Sequence, residues 1–318
     1  MNARRRTKRV KLTMMNVFRT LLKKDDRLSA STSASEGFTL IELMVSMILA
    51  VLVLTPLLSF MINILTTERR EQAKAATEEE LQATVDYITR DLEQAVYVYD
   101  TTALTTNSNT ANPASSGIKD QIPPVSGAVS GCSSTATCTP VLAFWKREVY
   151  EDAFKYDNTT CTTAAANADE CNDAYAYSLV VYYQTTDNSS GIWSNTSRIS
   201  RFELNGGVRN PTTTNAYFIA PSDGYESFDL SLSGSIEEKL NIWEKGAASY
   251  TAPAFVLVDH IDQFVLNAVS TTTSTAEITI RANALSRLED SPSFNSQLTS
   301  FFPSTTIQVR GLGGLGGQ

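Results

Sequence analysis

Residues 37–65 read GFTLIELMVSMILAVLVLTPLLSFMINIL. The apolar part runs from Phe38 to Leu65, 28 residues. At about 1.5 Å per helical residue it reaches ~42 Å, against roughly 30 Å for the hydrocarbon core of a bilayer. One charge, Glu42, interrupts it. An ionised carboxylate at such a place costs roughly 2.5–3.5 kcal/mol and needs a partner. A secretory signal has a shorter apolar core and a small-x-small cleavage site after it. Here the small residue, Gly37, stands before the run. A cut after Gly37 would leave the whole apolar segment on the mature chain, with a new α-amino group on Phe38. Glu42 would then be its fifth residue, within reach of a cation on this helix or on a neighbouring copy.

Outward from the run, charge is split. Residues 1–37 hold ten Lys/Arg and three Asp/Glu, a net of +7, while the remaining 16 basic and 31 acidic residues give a net of -15. A basic head before an apolar segment predicts a head kept in the cytoplasm. An acidic body excludes nucleic acid as a general partner, because phosphate binding needs a basic face.

Downstream, Leu81, Val85, Ile88, Leu92, Val96 and Tyr99 recur at spacings of three and four. This is the apolar stripe of an amphipathic helix. Glu78, Glu79, Asp86, Arg90, Asp91 and Glu93 fall on the opposite, solvated face. The periodicity predicts one helix from Phe38 to Tyr99, with Pro56 as a bending point. Residues 100–140 are rich in Thr, Ser, Asn, Gly and Pro, and read as a flexible loop. Strands are expected at Val141–Trp145, Tyr175–Gln184, Arg198–Leu204, Ala216–Ile219, Ser227–Leu232, Phe255–Val269, Ala276–Ala282 and Thr305–Arg310. Their alternation predicts an antiparallel sheet with one wet face. The fold class is therefore α+β: a long N-terminal helix, membrane-spanning in its first half and amphipathic in its second, packed on an antiparallel sheet. The organisation expected is a leader at 1–37, a spanning helix at 38–65, its amphipathic continuation at 66–99, the loop at 100–140, a β-rich domain at 141–310 and a flexible Gly-rich tail at 311–318.

The segment SEGFTLIELMVSMILAVLVL resembles the N-terminal cleavage and methylation motif of type IV prepilins and type II secretion pseudopilins, through Gly37, Phe38, Thr39, Leu40, Ile41, Glu42 and Leu43. The resemblance implies that a prepilin peptidase cuts after Gly37 and methylates the Phe38 amine, and that Glu42 acts in assembly. LQATVDYITRDLEQAVYVYD looks like the second half of the helix in PilW-like minor pilins and GspJ-like minor pseudopilins. Size and composition also resemble cyanobacterial pseudopilins of hormogonium polysaccharide secretion. The partners implied are prepilin peptidase, other pilins or pseudopilins, an inner-membrane assembly platform and membrane lipid. The place implied is the inner membrane, single-pass, with the globular domain in the periplasm or in a filament. The expected role is a structural subunit for secretion or motility. A membrane-tethered adhesin or binding protein that uses the leader for sorting is the alternative.

Cys132, Cys138, Cys161 and Cys171 follow the membrane run. Their spacing fits no standard zinc pattern, and an even number in an exported domain favours disulfides. The expected pairs are Cys132–Cys138 and Cys161–Cys171, with a reduced set as the other possibility. No motif of a hydrolase or nucleotide-binding enzyme occurs, so no catalytic residue, cofactor or metal is expected. His260, the single histidine, reads as structural. Asp259 and Asp262, or Asp169, Glu170 and Asp173, read as solvated charge before they read as a calcium site.

Overall fold

The computed structural model describes residues 39–155, 171–188, 191–210, 212–213, 216–271, 273–290, 292–313 and 315. The chain divides into two units, Met1–Asn63 and Ile64–Gln318. Helix α1, Leu40–Glu93, begins in the first unit and ends in the second.

In the first unit, every large apolar side chain of α1 from Leu40 to Ile62 is exposed. The stretch Leu40–Asn63 spans about 36 Å as a helix, enough for a bilayer core. Mean hydropathy reaches 2.5 in its most apolar window. Helix α1 continues through Pro56, whose missing N–H removes one backbone bond.

The second unit is built on one seven-stranded sheet. Its strands are β1 (Ala95–Val98), β2 (Cys138–Lys155), β3 (Cys171–Thr185), β4 (Ser197–Leu204), β7 (Phe255–Ser270), β8 (Thr275–Ala282) and β9 (Ser304–Arg310), in that spatial order. Every neighbouring pair is antiparallel. Strands β5 (Val208–Arg209) and β6 (Tyr217–Ile219) form a separate two-stranded ribbon. The long helix and the antiparallel sheet make the α+β arrangement that the sequence predicts.

Leu81, Ile88 and Leu92 of α1 are buried in one cluster with Leu142, Phe144, Val180 and Ile199 from the sheet. Each such side chain contributes about 1.5–3 kcal/mol when taken out of water. Helix α1 stops at Glu93, earlier than the periodicity predicts. Val96 and Tyr99, expected on its stripe, belong to an extended run instead, with Tyr97 and Val98 paired to Trp145 and Phe144. Valine and tyrosine fit a pleated surface well, and Ala95–Tyr99 is fully buried there. Pairing with β2 outweighs the helical spacing.

The sheet also departs from the expected wet face. Leu179, Val180, Val181, Tyr182 and Tyr183 are consecutive and all fully buried. Successive strand residues face opposite ways, so both faces of β3 are covered. The second cover comes from the segments between strands. Ile118 and Ile122, within the stretch expected to be a flexible loop, are core residues. The stretch also folds α2 (Thr101–Thr105), capped by Asp100, which accepts from Ala103 N–H at 2.7 Å. Helix α3 (Ile236–Asn241), which the sequence reading missed, begins with a reciprocal Ser235–Glu238 capping box, the S-x-x-E signature. Trp145 sits at the centre of this layer. Its ring meets Phe228 and Trp243 edge-on, its Nε1–H donates to Tyr99 Oη at 2.8 Å, and that hydroxyl donates to the Leu240 carbonyl at 3.0 Å.

Ser227–Leu232, expected as a strand, is irregular. Asp229 there accepts from both Ser231 N–H and its hydroxyl. This local bond offers the backbone an alternative to a ladder. The described residues of the expected flexible tail are held: Gly311 N–H donates to Ser274 O at 2.9 Å, Gly313 N–H donates to Ala95 O at 3.1 Å, and Leu315 packs on the core. A side chain at Gly311 would collide with the Ala95 carbonyl, so this crossing requires glycine.

Candidate functional site

Gly37 and Phe38 lie outside the described residues; Glu42 lies inside, in the first turn of α1. Thr39 precedes the helix, and its carbonyl accepts the first helical bond, from Leu43 N–H at 3.2 Å. Its Oγ1 accepts from Glu42 N–H at 3.3 Å, and Glu42 Oε2 accepts from Thr39 N–H at 3.4 Å. Thr39 Oγ1 also lies 3.3 Å from Glu42 Oε2 as a donor. This is a capping box: the Ncap side chain serves the third residue, and the third residue serves the Ncap. Helix N-terminal N–H groups have no intrahelical acceptor, and the positive end of the helix dipole favours a carboxylate there. So the charge in the apolar run has a partner within its own turn. The T-x-x-E spacing signalled this, and the sequence reading, which looked for a cation on this helix or on a neighbouring copy, missed it.

A second polar constellation holds the lower half of α1 to the sheet. Asp91, placed by the periodicity on the solvated face, is buried. It accepts from Arg201 Nε at 2.7 Å on β4, from Tyr182 Oη at 2.7 Å on β3, and from Lys146 Nζ at 3.4 Å on β2. Glu203 closes the group, 2.7 Å from Arg201 Nη1 and 2.6 Å from Lys146 Nζ. Three strands thereby grip one helix turn. Burial by itself would raise the Asp91 carboxyl. The hydrogen bond and charge of Arg201, the charge of Lys146 and the Tyr182 hydroxyl outweigh it and hold the carboxyl below the ordinary aspartate value.

A group whose folded pKa is depressed stabilises the fold fully above its unfolded pKa and loses that contribution as pH falls through the folded value. For Asp91 that loss begins below the ordinary value of 3.8. Asp91→Asn is therefore expected to cost about 3 kcal/mol at neutral pH, since it leaves buried cations short of a partner, and to flatten the acid limb of stability below pH about 4. Urea unfolding of the solubilised chain at neutral and acidic pH checks both.

Cys132 and Cys138 form a disulfide with Cα atoms 5.5 Å apart, bracing the turn that enters β2. Cys171, at the start of β3, is also disulfide-bonded; Cys161, its expected partner, lies outside the described residues. Asp259 and Asp262 engage different partners, Ser194 and Arg281. Among the described residues no three His, Cys, Asp or Glu side chains stand together as a metal site. Asp169 and Glu170 are outside the described residues, and Asp173 accepts from Asp152 N–H at 3.1 Å.

Residues 32–58 match the family described as the prokaryotic N-terminal methylation motif. That span contains Gly37, Phe38, the Thr39–Glu42 box and the first part of the exposed apolar helix. No curated protein and no solved structure matches the chain. The chain thus carries a prepilin-type methylation motif on a pilin-like α+β fold, consistent with the type IV pilin and pseudopilin family and with a processed, membrane-anchored subunit.

Proposed function

We propose that this chain is a minor pilin or pseudopilin, a structural rather than catalytic subunit of a type IV pilus-like or type II secretion-like filament. The observation that carries this is the coincidence of the methylation motif at residues 32–58 with a bare apolar helix whose one charge is fixed in its first turn. Prepilin peptidase cuts between Gly37 and Phe38 and methylates the new amine. The basic head stays in the cytoplasm, and the β-rich domain is exported to the periplasm. Lipid first covers the apolar half of α1, and the helices of neighbouring subunits then replace it. The 281 residues that follow Gly37 are many for a main filament subunit, which favours a minor position. A filament serving secretion, polysaccharide export or motility fits this reading.

Glu42 docks against the amine of an adjacent subunit and sets its register, an assignment to specificity rather than strength because buried ion pairs can be weak. The capping box supplies a discriminating variant. Glu42→Gln keeps the N3 partner that a capping box accepts but removes the charge. Normal cleavage with a severalfold loss from sheared filaments is expected, read by immunoblot of membrane and filament fractions. Normal incorporation of this variant would refute the docking role. A tethered adhesin would stay in the membrane fraction whatever stands at position 42.

A further inference from the structure

A cleft of about 570 Å³ opens beside α1 in the second unit, within the range of roughly 300–1,000 Å³ typical of small-ligand sites. Glu80 and Tyr87 of α1, Val256–His260 of β7, Trp193 and Arg287 line it. Five consecutive strand residues cannot all line one cleft if the strand alternates regularly. They do so here because β7 is irregular opposite β4, with the register shifting between Ser197 and Ile199, and because His260 takes a left-handed φ of 62°. A non-glycine residue in that region is strained by about 1–3 kcal/mol and persists only where its surroundings hold it. Here the His260 carbonyl accepts from Asn283 N–H at 2.7 Å.

Two aromatic rings line the cleft. Tyr87 and Trp193 are 45% and 36% exposed. The Arg201 guanidinium lies 5.7 Å from the Tyr87 ring centre and that of Arg198 5.5 Å from Trp193, which orients each ring from one face.

The polar groups are hydrogen-bonded yet retain bonding capacity. Glu80 pairs with Arg287, which also donates to Thr77 Oγ1 at 3.0 Å. Asp259 accepts from Ser194 N–H at 2.7 Å and from its hydroxyl at 2.8 Å. Ser286 Oγ donates to the Asn283 carbonyl at 2.7 Å, so its single proton is used. His260 Nδ1, 2.6 Å from that oxygen, must therefore be the donor, which leaves Nε2 as an acceptor. Burial and the neighbouring Arg287 charge favour this neutral form. The cleft thus offers acceptors at Asp259 and His260 Nε2 and donors on Arg287, Tyr87 and Trp193. A ligand that fits both donates and accepts, and offers a flat C–H face.

We propose that this cleft binds a neutral saccharide, its ring stacked between Tyr87 and Trp193 and its hydroxyls bonded to Asp259, His260 Nε2 and the Glu80–Arg287 pair. A polyol, whose hydroxyls both donate and accept, fits this set. The site does not depend on the filament reading, since all its residues lie in the second unit.

The test is titration of the full chain in a phosphocholine detergent, which carries no sugar, with maltotriose, cellotriose, galactobiose and chitobiose as neutral probes, and with digalacturonate and spermidine as charged ones. Trp193 lines the cleft and reports by fluorescence, and the variants are titrated by calorimetry. Saturable binding of a neutral probe is expected at up to millimolar concentration, weakened about tenfold by Trp193→Ala and by Tyr87→Ala and unchanged by Val125→Ala, an exposed residue elsewhere. The proposal is overturned by saturation with the charged probes alone, by no saturation with any probe, or by unaltered affinity in Trp193→Ala.

Discussion

Replacing Gly37 with glutamate is expected to abolish processing. The precursor should accumulate in the membrane at its full 318 residues, and none should reach a sheared filament fraction. A peptidase that cuts immediately before an apolar helix must seat the peptide bond at the membrane surface. A glycine there admits close approach of backbone to enzyme, because it has no Cβ. A carboxylate at the same point adds bulk and a charge that is costly to desolvate. The effect is all-or-none in kind, since an uncut leader keeps about seven net positive charges on the cytoplasmic side, where they resist translocation. Immunoblotting of membrane fractions separates the two lengths. Normal maturation of Gly37→Glu would remove the processing step from the proposed function.

The largest effect on the folded domain is expected from Trp145→Ala. Trp145 is fully buried and meets three aromatic rings edge-on, Tyr225, Phe228 and Trp243. Truncating a buried aromatic residue costs about 3–5 kcal/mol. The change also leaves the Tyr99 hydroxyl, buried beside it, without its donor, and an unmet polar group adds to the cost. Because the ring joins the sheet to the layer that carries α3, the loss should loosen that layer first. Urea-dependent proteolysis of the solubilised chain would show a lower midpoint and early cuts within 100–137 and 221–254. Trp145→Phe, which keeps most of the volume but not the N–H, should fall between the two.

Much of the architecture was legible because it rests on period and length. The run from Phe38 and the stripe through Leu92 need no distant information. The strands at 198–204, 255–269 and 276–282 stand within about a residue of their expected ends, while the one expected at 175–184 begins four residues earlier, at Cys171. Where period was ambiguous, tertiary pairing decided. Val96 and Tyr99 fit a helix by spacing and a strand by residue type, and β2 was the arbiter. The covered second face was readable in SLVVYYQ, since a continuous apolar run marks a strand buried on both sides. The burial of Asp91 was not readable. It borders the apolar stripe, and its partners at 146, 182 and 201 lie more than fifty residues away. Of the cleft, Asp259 and His260 drew notice one at a time. Only the irregularity in β7 brings them to the same opening as Trp193 and Tyr87. Glu42 was seen at once, but Thr39 completes it, and that pairing lay in plain view three residues away.

The claim on which the rest depends is that the chain is cut and modified at the start of α1. Mass spectrometry of the protein recovered from membranes tests it most directly. The account predicts a mature chain of 281 residues that begins at Phe38 and carries one methyl group on its amine. A mature N-terminus at any other residue, or a chain that keeps residues 1–37, would contradict it.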